Sequence, residues 1–256
     1  MNFPPYRDRY LPGMTRAAIA AVPHKDRAPV ILAVGAIEQH GHHLPVAVDA
    51  LMGQVWTALV LQRLRPDEPC YVAPPITIGK SNEHTGFPGT LMIGKETLRA
   101  ILLSIARQCH AWGFRRLAVI NTHGGNLPVL IPTLREIRAQ WGMTAEMLRS
   151  TVKLDLSPQE ATFGIHAGEV ETSWILAATE GLVDMTQATC EYFGRVDQPA
   201  LVKPVAAPIL RAWVSADLSK SGAMGDATIA TAEKGRRWLT LAADSMTENL
   251  RAMAAL

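Results

Sequence analysis

Val30-Ile-Leu-Ala-Val34 ends at Gly35 and runs on into Ala36-Ile-Glu38-Gln-His40-Gly-His42-His43, and Leu117-Ala-Val-Ile120 runs directly into Asn121-Thr-His123-Gly124-Gly125-Asn126. Each begins as an unbroken aliphatic run rich in β-branched residues, the pattern of a strand buried on both faces and not of a half-exposed antiparallel strand. Each then gives way at once to histidines, glycines and polar residues. Such strands need helices over both sides of their sheet, so the two stretches predict an α/β fold with a mostly parallel sheet. Ligands of open α/β sheets bind beyond the carboxyl ends of the strands, which is where both polar segments fall.

The flanking sequence supplies the helices. From Asp49, residues Leu51, Val55, Ala58 and Leu59 recur at helical spacing, and Pro66 marks a stop. Tyr71 to Ile78 reads as extended, but Pro74 and Pro75 confine it to an edge or an irregular strand. Leu98, Ile101, Leu102, Ile105 and Cys109 trace one face of a helix ending near Gly113. Helices are also expected over 128–141, 169–180 and 228–253, with a further strand over 144–148. No repeat or linker divides the chain, so 1–256 is read as one domain. Residues 191–228 have weak periodicity and several Gly, Pro and Ser residues, as a mobile or oligomer-contacting insertion would.

Composition narrows the function classes. The 256 residues carry 25 Lys+Arg against 23 Asp+Glu, with the signs interspersed, so no basic tract suggests nucleic acid or a membrane surface. The longest apolar stretch, 28–37, is too short to cross a bilayer and contains Pro29 and Gly35. The opening residues lack a basic region followed by an apolar one, so no signal peptide is expected. Cys70, Cys109 and Cys190 lie far apart and leave one over from any pair, as reduced thiols do. A soluble cytoplasmic protein is the expectation.

Three segments carry the chemistry. In Glu38-Gln-His40, alternate residues of an extended chain point to one side, and Asp49 opens the helix that follows. His123-Gly-Gly-Asn126 again follows a strand, with glycines that allow close approach of a ligand. His166-Ala-Gly-Glu169-Val-Glu171 enters a helix. Mixed histidine and carboxylate donors suit Zn²⁺, Mn²⁺ or Fe²⁺, and the lack of neighbouring cysteine argues against a structural zinc finger. More than four such donors can hold two cations.

Five segments in order, Gly35-Ala-Ile-Glu-Gln-His-Gly-His-His-Leu-Pro45, Glu83-His-Thr-Gly-Phe-Pro-Gly-Thr90, Asn121-Thr-His-Gly-Gly-Asn126, His166-Ala-Gly-Glu-Val-Glu-Thr-Ser173 and Gly225-Asp-Ala-Thr-Ile-Ala-Thr-Ala-Glu-Lys-Gly235, closely resemble the signature segments of the creatininase (creatinine amidohydrolase) family. The resemblance implies a three-layer α/β/α sandwich with a mostly parallel central sheet and a centre of two divalent metal ions (Zn, Mn or Fe). It implies that Glu38 and His123 hold one ion, His40 the other, and Asp49 bridges them. Creatininase takes its remaining ligand from a glutamate at the position of Gly125; the branch with His-Gly-Gly-Asn uses the glutamate of its His-Ala-Gly-Glu motif, here Glu169. His166 falls where creatininase has its catalytic histidine. Glu83, His84, Gly124, Gly125 and Asn126 are expected to bind substrate. His42 and His43 read as outer hydrogen-bond donors or solvated loop residues, Glu171 as a ligand-orienting or helix-capping group, and Asp226 as the N-cap of the last helix.

The function expected is metal-dependent hydrolysis of a non-peptide C–N bond, in a cyclic amide or a formamide, by a metal-activated water. His166 would protonate the leaving nitrogen. The alternatives are a peptidase-type member, as in mycofactocin maturation, and a non-catalytic metal-binding scaffold. The resemblance also implies a homo-oligomer, with a hexamer favoured, and a small-molecule amide as the partner.

Overall fold

The structure is a computed structural model that describes residues 6–198 and 212–255. Its elements run α1 (Arg16–Ala21), β1 (Pro29–Val34), α2 (Val48–Gln62), β2 (Tyr71–Val72), α3 (Lys95–Ala111), β3 (Arg116–Asn121), α4 (Leu127–Trp141), β4 (Thr144–Met147), α5 (Pro158–Phe163), α6 (Glu169–Ala178), β5 (Cys190–Glu191), α7 (Ser215–Leu218), β6 (Gly225–Asp226) and α8 (Ala232–Ala255). Four strands form a parallel sheet in the order β2-β1-β3-β4, with Val30 opposite Leu117 and Val34 opposite Asn121. β5 and β6 form a separate antiparallel pair.

Side-chain alternation divides the core into two layers. Val30, Leu32, Val34, Leu117 and Val119 pack with α3 and α4 through Leu98, Leu102, Leu130 and Ile137. Ile31, Ala118 and Ile120 face the opposite way, toward Met52 and Trp56 of α2, Ile175 of α6 and Leu239 and Met246 of α8. This is the expected sandwich, helices over both faces of a parallel sheet. β2 lies at the sheet edge and is shorter than the extended reading of 71–78. Beyond Val72 only an isolated bridge from Val34 to Ile76 continues it, because Pro74 and Pro75 have no N–H to give a ladder.

The C-terminal helix differs from expectation at its start. Residues 227–229 form a 3-10 turn, and the Asp226 carboxylate caps that turn by accepting from the Thr228 N–H at 2.9 Å. α8 starts at Ala232, so Asp226 is not its cap. Of the weakly patterned 191–228 stretch, 199–211 lies outside the described residues. The described remainder includes β5, β6, α7 and the turn at 227–229.

α6 crosses α8 closely. A Cβ built on Gly235 would stand 1.9 Å from the Ser173 carbonyl oxygen, closer than any real contact. Gly235→Ala is therefore expected to push the two helices apart and to lower the unfolding free energy by about 1–3 kcal/mol, as overpacking does. Urea denaturation checks this; unchanged stability would mean that the crossing is loose.

Candidate active site

The carboxyl ends of β1 and β3 deliver the first donors. β1 ends at Val34, and Gly35 lets the chain pass directly under the start of α2: a Cβ there would lie 2.8 Å from backbone atoms of Asp49. That close approach sets the Asp49 side chain against the segment carrying Glu38 and His40. β3 ends at Asn121, and His123 follows it. The third contributor is the 164–171 segment, which pairs with Met224 through backbone bonds from Ile165, His166 and Met224 itself.

Glu38, His40, Asp49, His123 and His166 are all buried and converge. His123 Nδ1 lies 3.2 Å from Glu38 Oε1 and 3.6 Å from Asp49 Oδ2. His40 Nε2 lies 3.8 Å from Asp49 Oδ1 and 3.7 Å from Glu171 Oε2. The two oxygens of Asp49 thus face two different groups of donors. His166 Nδ1 stands 3.8 Å from Glu38 Oε1, and its ring centroid is 4.2 Å from that of His40. His84 Nε2 comes within 3.2 Å of Glu38 Oε1, and Glu83 Oε1 within 3.3 Å of His123 Nε2. A cavity of about 520 Å³ opens onto this cluster and is lined also by Lys80, Gly124, Gly125 and Trp213. A larger groove of about 860 Å³, walled by Ile19, Ile105 and Trp112, is apolar and has none of these donors.

The residues fit divalent cations. Glu38 Oε2, His40 Nε2 and Asp49 Oδ2 are buried without a hydrogen-bond partner, a costly state unless something else satisfies them. Donor atoms about 2.0–2.2 Å from one cation lie some 3–4 Å from each other, which is the spacing found here. Glu38, His40 and Asp49 meet the geometry of a cation site, as do His40, His166 and Glu171, and Glu38, His84 and His166.

Two of the residues singled out in the sequence lie apart from the cluster. Glu169 is not brought to the cluster: its carboxylate is buried and paired at 2.6 Å with Lys234 Nζ of α8. Residues two apart on a helix point about 200° away from each other, so once Glu169 faces Lys234 it is Glu171 that faces His40. Glu171 Oε2 also accepts the Ala167 N–H at 2.6 Å and holds Ala167 in a left-handed conformation, φ 51°. Asn126 does not reach the cavity. It is fully buried, donates to the Gly35 carbonyl and to Asn121 Oδ1, and accepts from the Lys80 N–H, tying three loops together. Gly125 does line the cavity, and the space of a side chain there is taken by the Glu83 carboxylate, 1.9 Å from a built Cβ. His42 is exposed, while His43 is buried and bonded at 2.8 Å to Thr172.

Sequence reasoning passed over Glu160 and Gln39. The buried Glu160 carboxylate accepts from the N–H groups of Glu169 and Asp226 and from the Tyr192 hydroxyl, clamping the start of α6 to β6. Only its position one turn into a short helix after Pro158 hinted at a buried role.

The charges are strongly coupled. Burial raises the Asp49 pKa well above its ordinary value, and the neighbouring Glu38 and Glu171 charges raise it further. Burial alone would depress His123, but the carboxylates of Glu38 and Glu83 beside it, with Asp49, outweigh that and hold it at about 10. Burial likewise opposes ionisation of Glu38, yet the adjacent His123 and His84 rings bring its pKa below the usual range. His166 is pushed well down by burial and by the His40 and His84 rings, so it is a neutral imidazole.

These observations agree with comparison to known proteins. The family model described as creatininase, creatinine amidohydrolase, matches residues 12–250, and the chain belongs to that family. The mycofactocin precursor peptide peptidase of Mycolicibacterium smegmatis is 32% identical over 212 residues, spanning 81% of this chain and 78% of its own. The creatinine amidohydrolase of Pseudomonas putida is 29% identical over 248 residues, spanning 87% and 88%. A solved structure of creatininase with Mn superposes with a TM-score of 0.75 at 23% identity, covering 95% of this chain and 98% of that one. The fold is that of creatininase, and the chain is a creatininase-family hydrolase.

Two outcomes follow for variants and pH. Glu171→Gln is expected to weaken cation binding by roughly 10–100-fold or more, whereas Glu169→Gln keeps it and loses about 1–2 kcal/mol of stability with its partly exposed ion pair. Calorimetric titration with Mn²⁺ and thermal melts on the same preparations separate the two. Cations compete with protons at Asp49, whose pKa is raised, and at His123, held at about 10, so affinity rises with pH, by about tenfold per unit for each proton released, and levels off only near the His123 value. Proton release counted in buffers of different ionisation enthalpy checks the sign; affinity that falls as pH rises would contradict it.

Proposed function

We propose that the protein is a metal-dependent amidohydrolase that cleaves a C–N bond of a cyclic amide or a formamide by attack of water. The observation that carries the reading is the placement of Asp49, one oxygen turned to His123 and the other to His40, in a cluster where Glu38 Oε2, His40 Nε2 and Asp49 Oδ2 are buried with no hydrogen-bond partner. Two divalent ions would be held there, one by Glu38, His123 and Asp49, the other by His40, Asp49 and Glu171. Bound cations supply Lewis acidity, lowering the pKa of a water and polarising the amide carbonyl.

The chain's own residues do the rest. Glu38 and Asp49 are fixed by burial, so the donors need little rearrangement to hold charge. His166 is neutral and buried at the cavity wall, able to take a proton from the attacking water and return it to the departing nitrogen, which cannot leave as an amide anion. Glu83, wedged over Gly125, and Lys80, 3.5 Å from it, line the mouth where the substrate enters. Gly124 has open space beside it and lets a substrate approach the backbone.

A second reading is supported by the 32% identity to a peptidase and by a cavity of 520 Å³, roomy for one small ring: the amide could belong to the end of a peptide. Turnover of lactams, hydantoins, formamides and short peptides by the Mn- and Zn-loaded protein tests both. His166→Ala is expected to retain its cations and lose roughly 10²-fold or more in kcat. Loss of cations in that variant with full turnover after their replacement would overturn the role given to His166. No turnover of any amide by the loaded wild type would overturn the function.

A further inference from the structure

Gln39 lies between the two ligand-bearing residues of the first segment, is itself buried, and sets its amide against the rings of His84 and His166. Its hydrogen bonds can be assigned because backbone groups with a single role fix its orientation. The Gly41 N–H can only donate, and it lies 2.9 Å from Gln39 Oε1. The Gly222 carbonyl can only accept, and it lies 2.9 Å from Gln39 Nε2. The amide therefore cannot be turned over. It has one N–H left, and that N–H faces His84 Nδ1 at 2.9 Å.

The rest follows by elimination. A nitrogen that accepts from Gln39 carries no proton, so His84 bears its hydrogen on Nε2, aimed at Glu38 Oε1 3.2 Å away. Ser215 Oγ also lies 3.1 Å from His84 Nδ1, and a hydroxyl that can donate or accept does not decide this tautomer. The main chain of Gln39 acts on the other ring. His166 Nε2 lies 2.7 Å from the Gln39 carbonyl oxygen, which can only accept, so His166 Nε2 carries the proton. The 3.2 Å approach of Gln39 Nε2 to His166 Nε2 sets two donors beside each other and holds no bond. His166 Nδ1 is then bare and lies 3.8 Å from Glu38 Oε1.

We propose that Gln39 is a positioning residue that fixes the tautomers of His84 and His166, so that His84 offers an N–H to the carboxylate cluster while His166 offers it a lone pair. Both rings take the same tautomer, but they are turned end for end relative to Glu38. One histidine is thereby a donor that holds Glu38 in place, and the other is the base. A neutral imidazole is useful to the hydrolysis inferred above only when its unprotonated nitrogen faces the reacting water, and the Gln39 carbonyl provides that orientation. The assignment rests on that reading for its purpose, although not for its geometry.

The test is the ¹⁵N spectrum of the histidine rings in the full-length chain, zinc-loaded and after chelation, at about pH 8, above the ordinary histidine value. Signals are assigned with His84→Asn and His166→Asn. The expected wild-type result is a protonated Nε2 and a bare Nδ1 on both rings. A proton on Nδ1 of either ring overturns the proposal. In Gln39→Glu an acceptor replaces the amide donor, so His84 is expected to move its proton to Nδ1 while His166 keeps its own. An unchanged His84 would also overturn the proposal, and if the variant does not fold the wild-type spectrum alone decides. On any amide that the wild type hydrolyses, Gln39→Glu is expected to lose about tenfold or more in kcat with KM changed much less. If the loaded wild type hydrolyses no amide while the tautomers are as assigned, the proposed function fails and the role of Gln39 stands.

Discussion

Three carboxylates, Glu38, Asp49 and Glu171, share one small region with His40, and two of the three are almost wholly out of solvent. Like charges so placed repel strongly in a medium of low dielectric, and without compensation at least one must bind a proton. Burial and the neighbouring carboxylate charges raise the Asp49 pKa, and the carboxylates beside His123 hold its pKa at about 10. The region is therefore a store of electrostatic cost that protons relieve in part and divalent cations can relieve more fully. The local architecture near it serves to hold these groups together against that repulsion.

The means are mechanical. Parallel strands buried on both faces end abruptly, and the chain beyond them has no freedom to drift because it is pinned by short polar contacts. Asn126 ties three loops, Glu160 clamps the head of α6 to β6, and Lys234 reaches across from α8 to Glu169. Gly35 removes the side chain that would keep α2 away from the end of β1. Each of these contacts is remote from any reacting atom, yet each sets where a donor points.

Much of this was legible in the sequence. The aliphatic runs at 30–34 and 117–120 gave the buried parallel strands, and the polar residues directly after them gave Glu38, His40 and His123. The prolines after Val72 gave the edge position of β2. What was not legible depends on rotation and distance. Glu169 and Glu171 differ by about 200° on α6, and which of them faces His40 is decided by Lys234, 65 residues downstream, and by Glu160. Asn126 stands in a glycine-rich segment that reads as a ligand loop, but all its hydrogen bonds are spent on backbone and on Asn121. Gln39 was hidden between two more conspicuous residues, and only the three-dimensional path of Gly222 reveals its orientation.

The function proposed depends on the Asp49 carboxylate bridging two cation positions, with Glu171 and not Glu169 completing the second. Anomalous diffraction from crystals of the protein grown with Mn²⁺ tests it most directly. Two anomalous peaks are expected on either side of Asp49, one beside Glu38 and His123 and one beside His40 and Glu171. A single peak, or a peak against Glu169, would contradict it.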